Sequence, residues 1–195
     1  MTRAQALVQR PKRTLSALSV ALLAAGVAVG SGADFSSRSA NPANTFTAGT
    51  LSIDNSRGNG AAASAVLTAP NLKPGDSATG TVDIQNAGSV AGTFTLSTSG
   101  ASDSTVVSLL GQLDVRIEDC GVYSDGDPPT CGSPTSKVLT TTGTKLNGVG
   151  SIGLGSFAGG EKHRYKFDVT LPKGTGNSFQ GKSASIAFDW DAQTV

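Results

Sequence analysis

The residues best suited to metal chemistry in this 195-residue chain are its one histidine, His163, and the carboxylate of Glu161, two residues earlier. On a β-strand, side chains two residues apart share a face, so these two could meet one ion. The helical His-Glu-x-x-His zinc motif is absent from the sequence. The basic residues Lys162, Arg164 and Lys166 flank the pair and indicate a charged strand start that faces solvent. We therefore predict no metal ligand here.

A second group of carboxylates lies in the run Asp125-Gly-Asp127, with Asp119 nearby in the sequence. Such oxygens could bind calcium, but the run lacks the spacing and the terminal Glu of an EF-hand loop. Asp and Gly are also ordinary turn residues. The sequence favours a plain turn and leaves a calcium ion near Asp125 and Asp127 as an open alternative.

Two other patterns have only a superficial likeness to functional motifs. Asp189 and Asp191 share one strand face beside Trp190, and paired carboxylates can hydrolyse glycosides. A sugar-binding cleft would need aromatic platforms, however, and the chain has one Trp and two Tyr. No helical pattern follows the glycine-rich run 148–155, so it is not a phosphate-binding loop. We predict no catalytic residue and no cofactor.

Composition excludes two further classes of protein. The chain has 15 basic and 14 acidic residues and a formal net charge of +1, which is too neutral for a protein held on nucleic acid by phosphate contacts. Gly, Ser and Thr dominate and strong helix formers are scarce, so a helix bundle is not expected. The apolar fraction of 37% still suffices for a folded core.

The first 33 residues have the three-part order of a secretory signal peptide. The segment begins with four basic residues, namely Arg3, Arg10, Lys12 and Arg13. An uncharged apolar run follows over residues 15–29, and small residues then lead to Ala33. We predict cleavage between Ala33 and Asp34. The run is shorter than the roughly 20 residues that span a bilayer, so we expect no permanent membrane span; an uncleaved anchor is the alternative.

Removal of this segment changes the character of what remains. Residues 34–195 carry 11 basic and 14 acidic residues, and hence a net charge of −3. Export would place Cys120 and Cys131, the only cysteines, in an oxidising compartment, where we predict a disulfide. It would pin a loop rich in Pro and Gly and stabilise the fold by about 3 kcal/mol. A redox role would need tighter spacing.

Hydrophobic alternation with a period of two dominates the exported part and predicts antiparallel strands with one buried face. The alternation is strong in residues 81–85, 93–97, 113–117, 165–171 and 185–190. Weaker strands are expected over residues 46–53, with a bulge at Gly49, and over residues 62–68 and 136–141. About eight short strands separated by turns predict an all-β fold, an antiparallel β-sandwich of jelly-roll type.

Three segments depart from this alternation. Residues 104–110 predict one short helix, capped by Asp103 or Ser102. Residues 143–160 are rich in glycine and predict a loop or a loosely formed hairpin. Residues 34–45 are polar and predict a flexible N-terminal arm. The expected organisation is therefore a signal peptide (1–33), an arm (34–45) and a β-sandwich domain (46–195).

Several segments in order along the exported chain resemble the TasA/camelysin family of exported bacterial proteins. They are Asn44-Thr-Phe-Thr-Ala-Gly-Thr-Leu-Ser-Ile53, Asn71-Leu-Lys-Pro-Gly-Asp-Ser77, Asn86-Ala-Gly88, Leu109-Leu-Gly-Gln-Leu-Asp-Val115, residues 165–172, Asn177-Ser-Phe-Gln-Gly-Lys-Ser183 and the closing Ser185-Ile-Ala-Phe-Asp-Trp-Asp-Ala-Gln193. Each segment alone is a weak signal, but the ordered set covers nearly all of residues 34–195.

The resemblance implies a jelly-roll domain, export through a dedicated signal peptidase, and a structural role in the biofilm matrix. Family members build fibres in which the freed N-terminal segment of one subunit adds a strand to the next. Carried over to this chain, cleavage after Ala33 frees the donor. The candidate donor-strand residues are Asp34, Phe35, Ser36, Ser37, Arg38, Ser39, Ala40 and Asn41.

The leading hypothesis is therefore a secreted, non-enzymatic matrix protein whose main partner is itself, as a head-to-tail homopolymer, with other matrix proteins as further candidates. The arm offers one large aromatic side chain, Phe35, where family donors tend to have paired aromatics, and Pro42 cannot donate to a β-ladder. Two alternatives stay open. One is a monomeric cell-surface adhesin that binds through loops such as residues 120–131. The other is a metallopeptidase, as the camelysin branch is described.

Overall fold

The structure is a computed structural model that describes residues 48–59, 63–124 and 126–195. Eight strands and two short 3₁₀ helices follow one another in these ranges. The strands are β1 (Ile53–Asn55), β2 (Ser77–Asn86), β3 (Gly92–Asp103), β4 (Asp114–Tyr123), β5 (Lys137–Val138), β6 (Ile152–Phe157), β7 (Lys162–Thr170) and β8 (Ala184–Thr194); the 3₁₀ helices are Leu146–Gly148 and Asn177–Phe179. The expected signal peptide, its cleavage site after Ala33 and the candidate donor strand lie outside the described residues.

The strands form two antiparallel sheets, which confirms the all-β sandwich; its jelly-roll type stays a prediction. The five-stranded sheet has the order β1-β2-β7-β4-β5, and the three-stranded sheet has the order β6-β3-β8. Aromatic side chains join the sheets: Phe167 of β7 lies 4.5 Å from Phe188 of β8 between ring centroids, and Tyr165 lies 5.1 Å from Trp190. These contacts place the core between the two sheets.

The five segments with strong alternation all become strands, and alternation decides which side chains are buried. In β2, Val82 and Ile84 are buried, whereas the alternating residues Thr81, Asp83 and Gln85 are half-buried. In β7, Tyr165, Phe167 and Val169 are at most 2% exposed. Burial of such apolar side chains is the main stabilising contribution to a domain of this size. The residues that the alternation predicts to be buried are the ones that form the core.

The three weaker strands are shorter than predicted or absent. Of residues 46–53, only Ile53 belongs to a strand, and Phe46 and Thr47 lie outside the described residues. Gly49 forms no bulge because no strand forms there. Residues 63–68 form no strand, and residues 136–141 shrink to the two residues of β5. All three segments lie beside a sheet edge or a loop, where few partners fix an extended backbone.

The helix predicted over residues 104–110 is wrong, since this segment consists of bends and the start of a turn. Asp103 Oδ1 instead accepts the backbone N–H groups of Leu109 and Leu110 at 2.7 and 3.1 Å. Val106 and Val107 are exposed, so no burial offsets the low helix propensity of β-branched residues. The carboxylate therefore ties a loop rather than capping a helix.

The glycine-rich segment 143–160 is also more ordered than predicted. It contains a 3₁₀ helix and β6, which pairs with β3 with a shift in register beside Phe94. Leu146, Val149 and Phe157 of this segment are buried. Gly153 and Gly155 interrupt the alternation of β6, which explains why the sequence concealed this strand.

The turn Asn86-Ala-Gly88, part of the family resemblance, connects neighbouring segments of the fold. Buried Asn86 donates from its amide to the carbonyls of Val90 and Phe157, and its Oδ1 accepts the N–H of Gly88. A Cβ at Gly88 would lie 2.1 Å from the carbonyl oxygen of Thr50. The turn therefore joins three chain segments and requires glycine at its third position.

The outward face of the five-stranded sheet carries ion pairs between and along its strands. Arg164 of β7 binds both carboxylate oxygens of Asp83 of β2, at 2.7 and 2.9 Å. Arg116 of β4 lies 3.8 Å from Asp168 of β7, which also pairs with Lys166 at 3.0 Å. We call these five side chains the charged face.

Candidate functional site

His163, the first candidate for chemistry, faces the inside of the sandwich. It shares the inward face of β7 with Tyr165 and Phe167, and its side chain is 14% exposed. Its ring stacks on Phe157 of β6 at a centroid distance of 4.2 Å. The predicted solvent-facing orientation is therefore wrong, because the alternation of the strand outweighs the charges of the flanking residues.

Both ring nitrogens of His163 are held by carboxylates. Nδ1 lies 3.1 Å from Oδ2 of Asp119, and Nε2 lies 3.0 Å from Oε1 of Glu161. Backbone groups fix these carboxylates, since Asp119 accepts the N–H of Gly121 and Glu161 accepts that of Ala158. Burial alone would lower the pKa of His163, but the two hydrogen bonds and the two negative charges outweigh it, and the pKa is raised.

The His163 cluster does not fit a metal centre. A metal ligand must offer a free lone pair, whereas each ring nitrogen of His163 already lies within hydrogen-bond distance of a carboxylate. Structural and catalytic zinc sites use at least three protein ligands. Across residues 48–59, 63–124 and 126–195, no group of three His, Cys, Asp or Glu side chains is placed to hold a metal ion. The cluster instead ties β4 to β7 and to the turn before it.

Cys120 and Cys131 form the predicted disulfide, with their Cα atoms 4.5 Å apart. The calcium alternative for the loop between them depends on Asp125, which lies outside the described residues. Asp119 does not point toward this loop, because its carboxylate is engaged by His163 inside the sandwich. Asp127 is exposed.

Glu118, beside the disulfide, is a buried carboxylate that the sequence did not reveal. Its side chain is 1% exposed. Oε1 accepts the N–H of Gly132 and the hydroxyl of Ser136, and Oε2 pairs with Arg116. Burial would raise the pKa of Glu118, but these hydrogen bonds and the Arg116 charge lower it. Glu118 thus fastens the disulfide loop onto β4.

Asp189 and Asp191 lie on β8, as the alternation predicts, with Asp191 exposed and Asp189 partly buried. Neither accepts a hydrogen bond or forms an ion pair with another described residue. Residues 148–155 end the first 3₁₀ helix and lead into β6, so no helix N-terminus follows them. The structure therefore brings none of these residues together with a partner for catalysis.

A groove of about 1510 Å³ runs along β8. Every residue from 179 to 191 lines it, whichever way its side chain points, so the groove follows the backbone edge of β8. Its apolar lining comes from the core, and these residues are Leu109, Leu110, Leu113, Leu146, Val169 and Leu171. Small-molecule pockets are typically smaller, up to about 1000 Å³, so an extended chain suits this groove better.

The open edge of β8 is the second part of this site. β8 is 11 residues long and pairs with β3 only; no described strand occupies its other edge. Its inward side chains, Ile186, Phe188 and Trp190, stay partly exposed. The Nε1 atom of Trp190 is buried without a hydrogen-bond partner among the described residues. Sequence alternation identifies β8 as a strand, but it carries no signal of an unpaired edge.

Comparisons with known proteins bear on one family. No helix of the described residues is long and apolar enough to cross a membrane. No curated protein matches the chain. The sporulation control protein Spo0M from Bacillus subtilis, a solved structure, matches at 20% identity over 75% of this chain and 44% of that one, so the chain spans less than half the length of Spo0M. The TM-score of 0.27 is too low to support a conclusion.

The family comparison is stronger. The model of the camelysin metallo-endopeptidase family matches residues 12–119, just over half of the 195 residues. This match covers the segments around Asn71 and Asn86 that carry the resemblance in the sequence. The chain therefore belongs to the camelysin/TasA family.

Proposed function

We propose that this chain is a secreted structural subunit of an extracellular matrix, which assembles head to tail when the N-terminal arm of one copy adds as a strand to β8 of the next. The observation that carries this proposal is the edge of β8, which pairs with no described strand and lies beside an apolar groove. An exposed strand edge of this length is a template for another chain, and strand addition combines backbone hydrogen bonds with side-chain burial.

The arm is long enough to lie along most of this edge. Residues 34–44 number 11, as does β8 (Ala184–Thr194). At about 3.3 Å per residue, both extend to about 36 Å. Phe35 is the one large apolar side chain of the arm, and the groove offers it the partly exposed Phe188 and Trp190.

β6 is the other outer strand of the three-stranded sheet and the competing acceptor. It has six residues, two of which are Gly153 and Gly155. It therefore offers a shorter edge and fewer side chains to pack against a donor. Because donor and acceptor are different surfaces of one subunit, each contact leaves a free arm and a free edge, and growth continues as a filament.

Electron microscopy and light scattering of three chains test this proposal. The chain that begins at Asp34 should form filaments, a chain lacking residues 34–44 should stay monomeric, and Phe35→Ala should slow assembly. Lys173→Ala, at an exposed position outside both the arm and the groove, serves as the control and should assemble like the parent. If the first two chains both remain monomeric at high concentration, the assembly proposal fails and the monomeric adhesin becomes the better reading.

Cleavage after Ala33 is the proposed switch, because an arm still joined to residues 1–33 cannot reach a neighbour freely. N-terminal sequencing of the secreted protein should give Asp34 as the first residue. The chain that begins at Met1 should not form filaments until a signal peptidase removes residues 1–33. Filaments from the uncleaved chain would contradict this step.

A peptidase is the second candidate, and the name of the family is what favours it. The available metal ligands argue against it. His163 is the one histidine of the chain, and its two ring nitrogens contact the carboxylates of Asp119 and Glu161. We propose a non-enzymatic role, with no cofactor. Zinc-dependent casein cleavage that is lost in His163→Ala but kept in a variant of an exposed residue such as Lys173→Ala would reverse this conclusion.

A further inference from the structure

The groove beside β8 has a second wall, formed by residues 63–72. Each of these residues lines the groove, so this wall also presents its backbone to the space beside β8. An extended chain in the groove would therefore lie between two backbones, that of β8 and that of residues 63–72. Such a chain could form backbone hydrogen bonds on both of its sides, whereas a strand added to the edge of β8 alone could form them on one side only.

The second wall has a strand-like sequence but no strand structure. The run Ser64-Ala-Val-Leu-Thr68 predicts a strand, yet no residue from 63 to 69 has strand structure. The backbone groups of residues 65–69 form no hydrogen bond to another described residue, whereas Ser64 donates its N–H to the carbonyl of Arg57 at 2.7 Å. Among the described residues, these backbone donors and acceptors therefore have no partner.

Side chains, rather than backbone hydrogen bonds, hold this wall in place. Val66 and Leu67 are partly buried against the core. The backbone passes so close to buried Gly80 of β2 that a Cβ there would lie 2.2 Å from the carbonyl oxygen of Val66. The segment thus lies against the inner face of the five-stranded sheet and lines the groove together with β8.

We propose that residues 63–69 become a β-strand when the arm of a second copy enters the groove, so that the arm is a central strand with hydrogen bonds on both sides. This inference rests on the proposed function. The strand propensity of the segment is unused within the described residues, because none of them pairs with its backbone. Arrival of the arm supplies that partner, and each new hydrogen bond replaces one to water.

Two-sided pairing restricts which part of the arm can be bound. Proline is excluded from central strands because it removes a ladder hydrogen bond. Pro42 must therefore lie outside the paired stretch, which limits it to residues 34–41. If the arm paired with β8 alone, Pro42 could lie within the paired stretch with its nitrogen turned toward solvent. Proline substitutions along the arm therefore distinguish pairing on both sides from pairing on one side.

Hydrogen exchange measured by mass spectrometry tests the inference on the chain that begins at Asp34. In the monomer, the amides of residues 65–69 should exchange rapidly. In filaments they should exchange at least about a hundredfold more slowly, with protection comparable to that of β8. Unchanged rapid exchange of this segment within filaments would overturn the inference.

Ala65→Pro provides the second test, with Ala65→Ser as the matched control. Ala65 is exposed and its N–H has no described partner, so proline removes no hydrogen bond from the monomer, and the thermal midpoint should stay within about 2 °C of that of the parent. Alternate N–H groups of a strand point to opposite sides, so Thr68→Pro, also at an exposed position, tests the other set. Filament growth should slow by about tenfold or more in one of these two proline variants, because the ladder loses a donor. Growth of both at the parental rate contradicts the inference even while it leaves strand donation intact.

A matched pair in the arm completes the design. Ser37→Pro, inside the paired stretch, should abolish filaments, whereas Ala43→Pro, beyond Pro42, should not. The parent chain could form filaments in which residues 65–69 are not protected, and the proline variants in this segment could grow at the parental rate. That result would leave the proposed function intact and overturn only the pairing of the arm with residues 63–69. Absence of filaments from the parent chain would overturn both.

Discussion

Glu118→Gln gives the sharpest test of the packing around the disulfide loop. The substitution keeps the size of the side chain and removes its charge. The amide oxygen can still accept from Gly132 and Ser136, but both hydrogen bonds change from charge-assisted to neutral. Each change costs about 1 kcal/mol. Arg116, whose side chain is 46% exposed, adds little to this because solvent screens it.

The expected loss in the free energy of unfolding is therefore about 2 kcal/mol at pH 7. For a domain of about 150 residues, this corresponds to a lower thermal midpoint by about 4–8 °C. Urea denaturation followed by the fluorescence of Trp190, together with calorimetry, measures both quantities. Asp54→Asn is the matched control, because Asp54 is exposed and forms no ion pair with a described residue.

The loss should also depend on pH with a definite sign. The pKa of Glu118 in the folded protein is lowered from its ordinary value of 4.5. Its contribution to stability is then fully present above about pH 4.5 and disappears as the pH falls through the folded-state pKa. The difference between parent and Glu118→Gln should shrink toward pH 3. A difference below about 0.5 kcal/mol at pH 7, or one that is constant from pH 7 to pH 3, refutes this account.

Three further predictions follow from the same structure. The raised pKa of His163 means that its stabilising effect is present below about pH 6.5 and is lost as the pH rises through the folded-state pKa; urea titrations should show the parent losing stability toward pH 9 more steeply than His163→Gln, and parallel profiles would be inconsistent with this. Replacing Cys120 and Cys131 by Ser should lower the free energy of unfolding by about 3 kcal/mol, and a loss below about 1 kcal/mol would show that the loop needs no cross-link. Gly88→Ala should destabilise the domain by about 1–3 kcal/mol because its Cβ meets a backbone carbonyl, whereas Gly174→Ala, with open space around it, should be nearly neutral.

The strands that the sequence predicts best are those in which each residue type agrees with the burial of its position. In β7, Tyr165, Phe167 and Val169 alternate with polar residues, and the same alternation places His163 inside. The inward position of His163 was therefore readable from its parity with Tyr165, although the surrounding charges suggested the opposite. The resemblance to the camelysin/TasA family is confirmed by the match over residues 12–119.

The sequence could not predict features that depend on contacts between distant segments. Glu118 is buried because Gly132 and Ser136 fold over an outward face that alternation would leave exposed. The groove lies beside the edge of β8 with which no described strand pairs, and a missing pairing partner leaves no pattern within the strand itself. Residues 63–68 carry a local preference for extended structure, but local preference alone cannot create a strand without a partner.

The charged face bears on how filaments of this protein would meet one another. Its Arg116, Asp168 and Lys166 lie on the broad side of the five-stranded sheet, away from the β8 edge. Flat sheets attract other sheets when their broad sides are apolar, but these ion pairs would have to lose water before two filaments could stack there. With a net charge of −3 on residues 34–195 of each subunit, growth along the proposed filament would then be favoured over thickening. Ionic strength, which screens charges beyond about 10 Å at 0.1 M, would set how closely such filaments lie in a matrix.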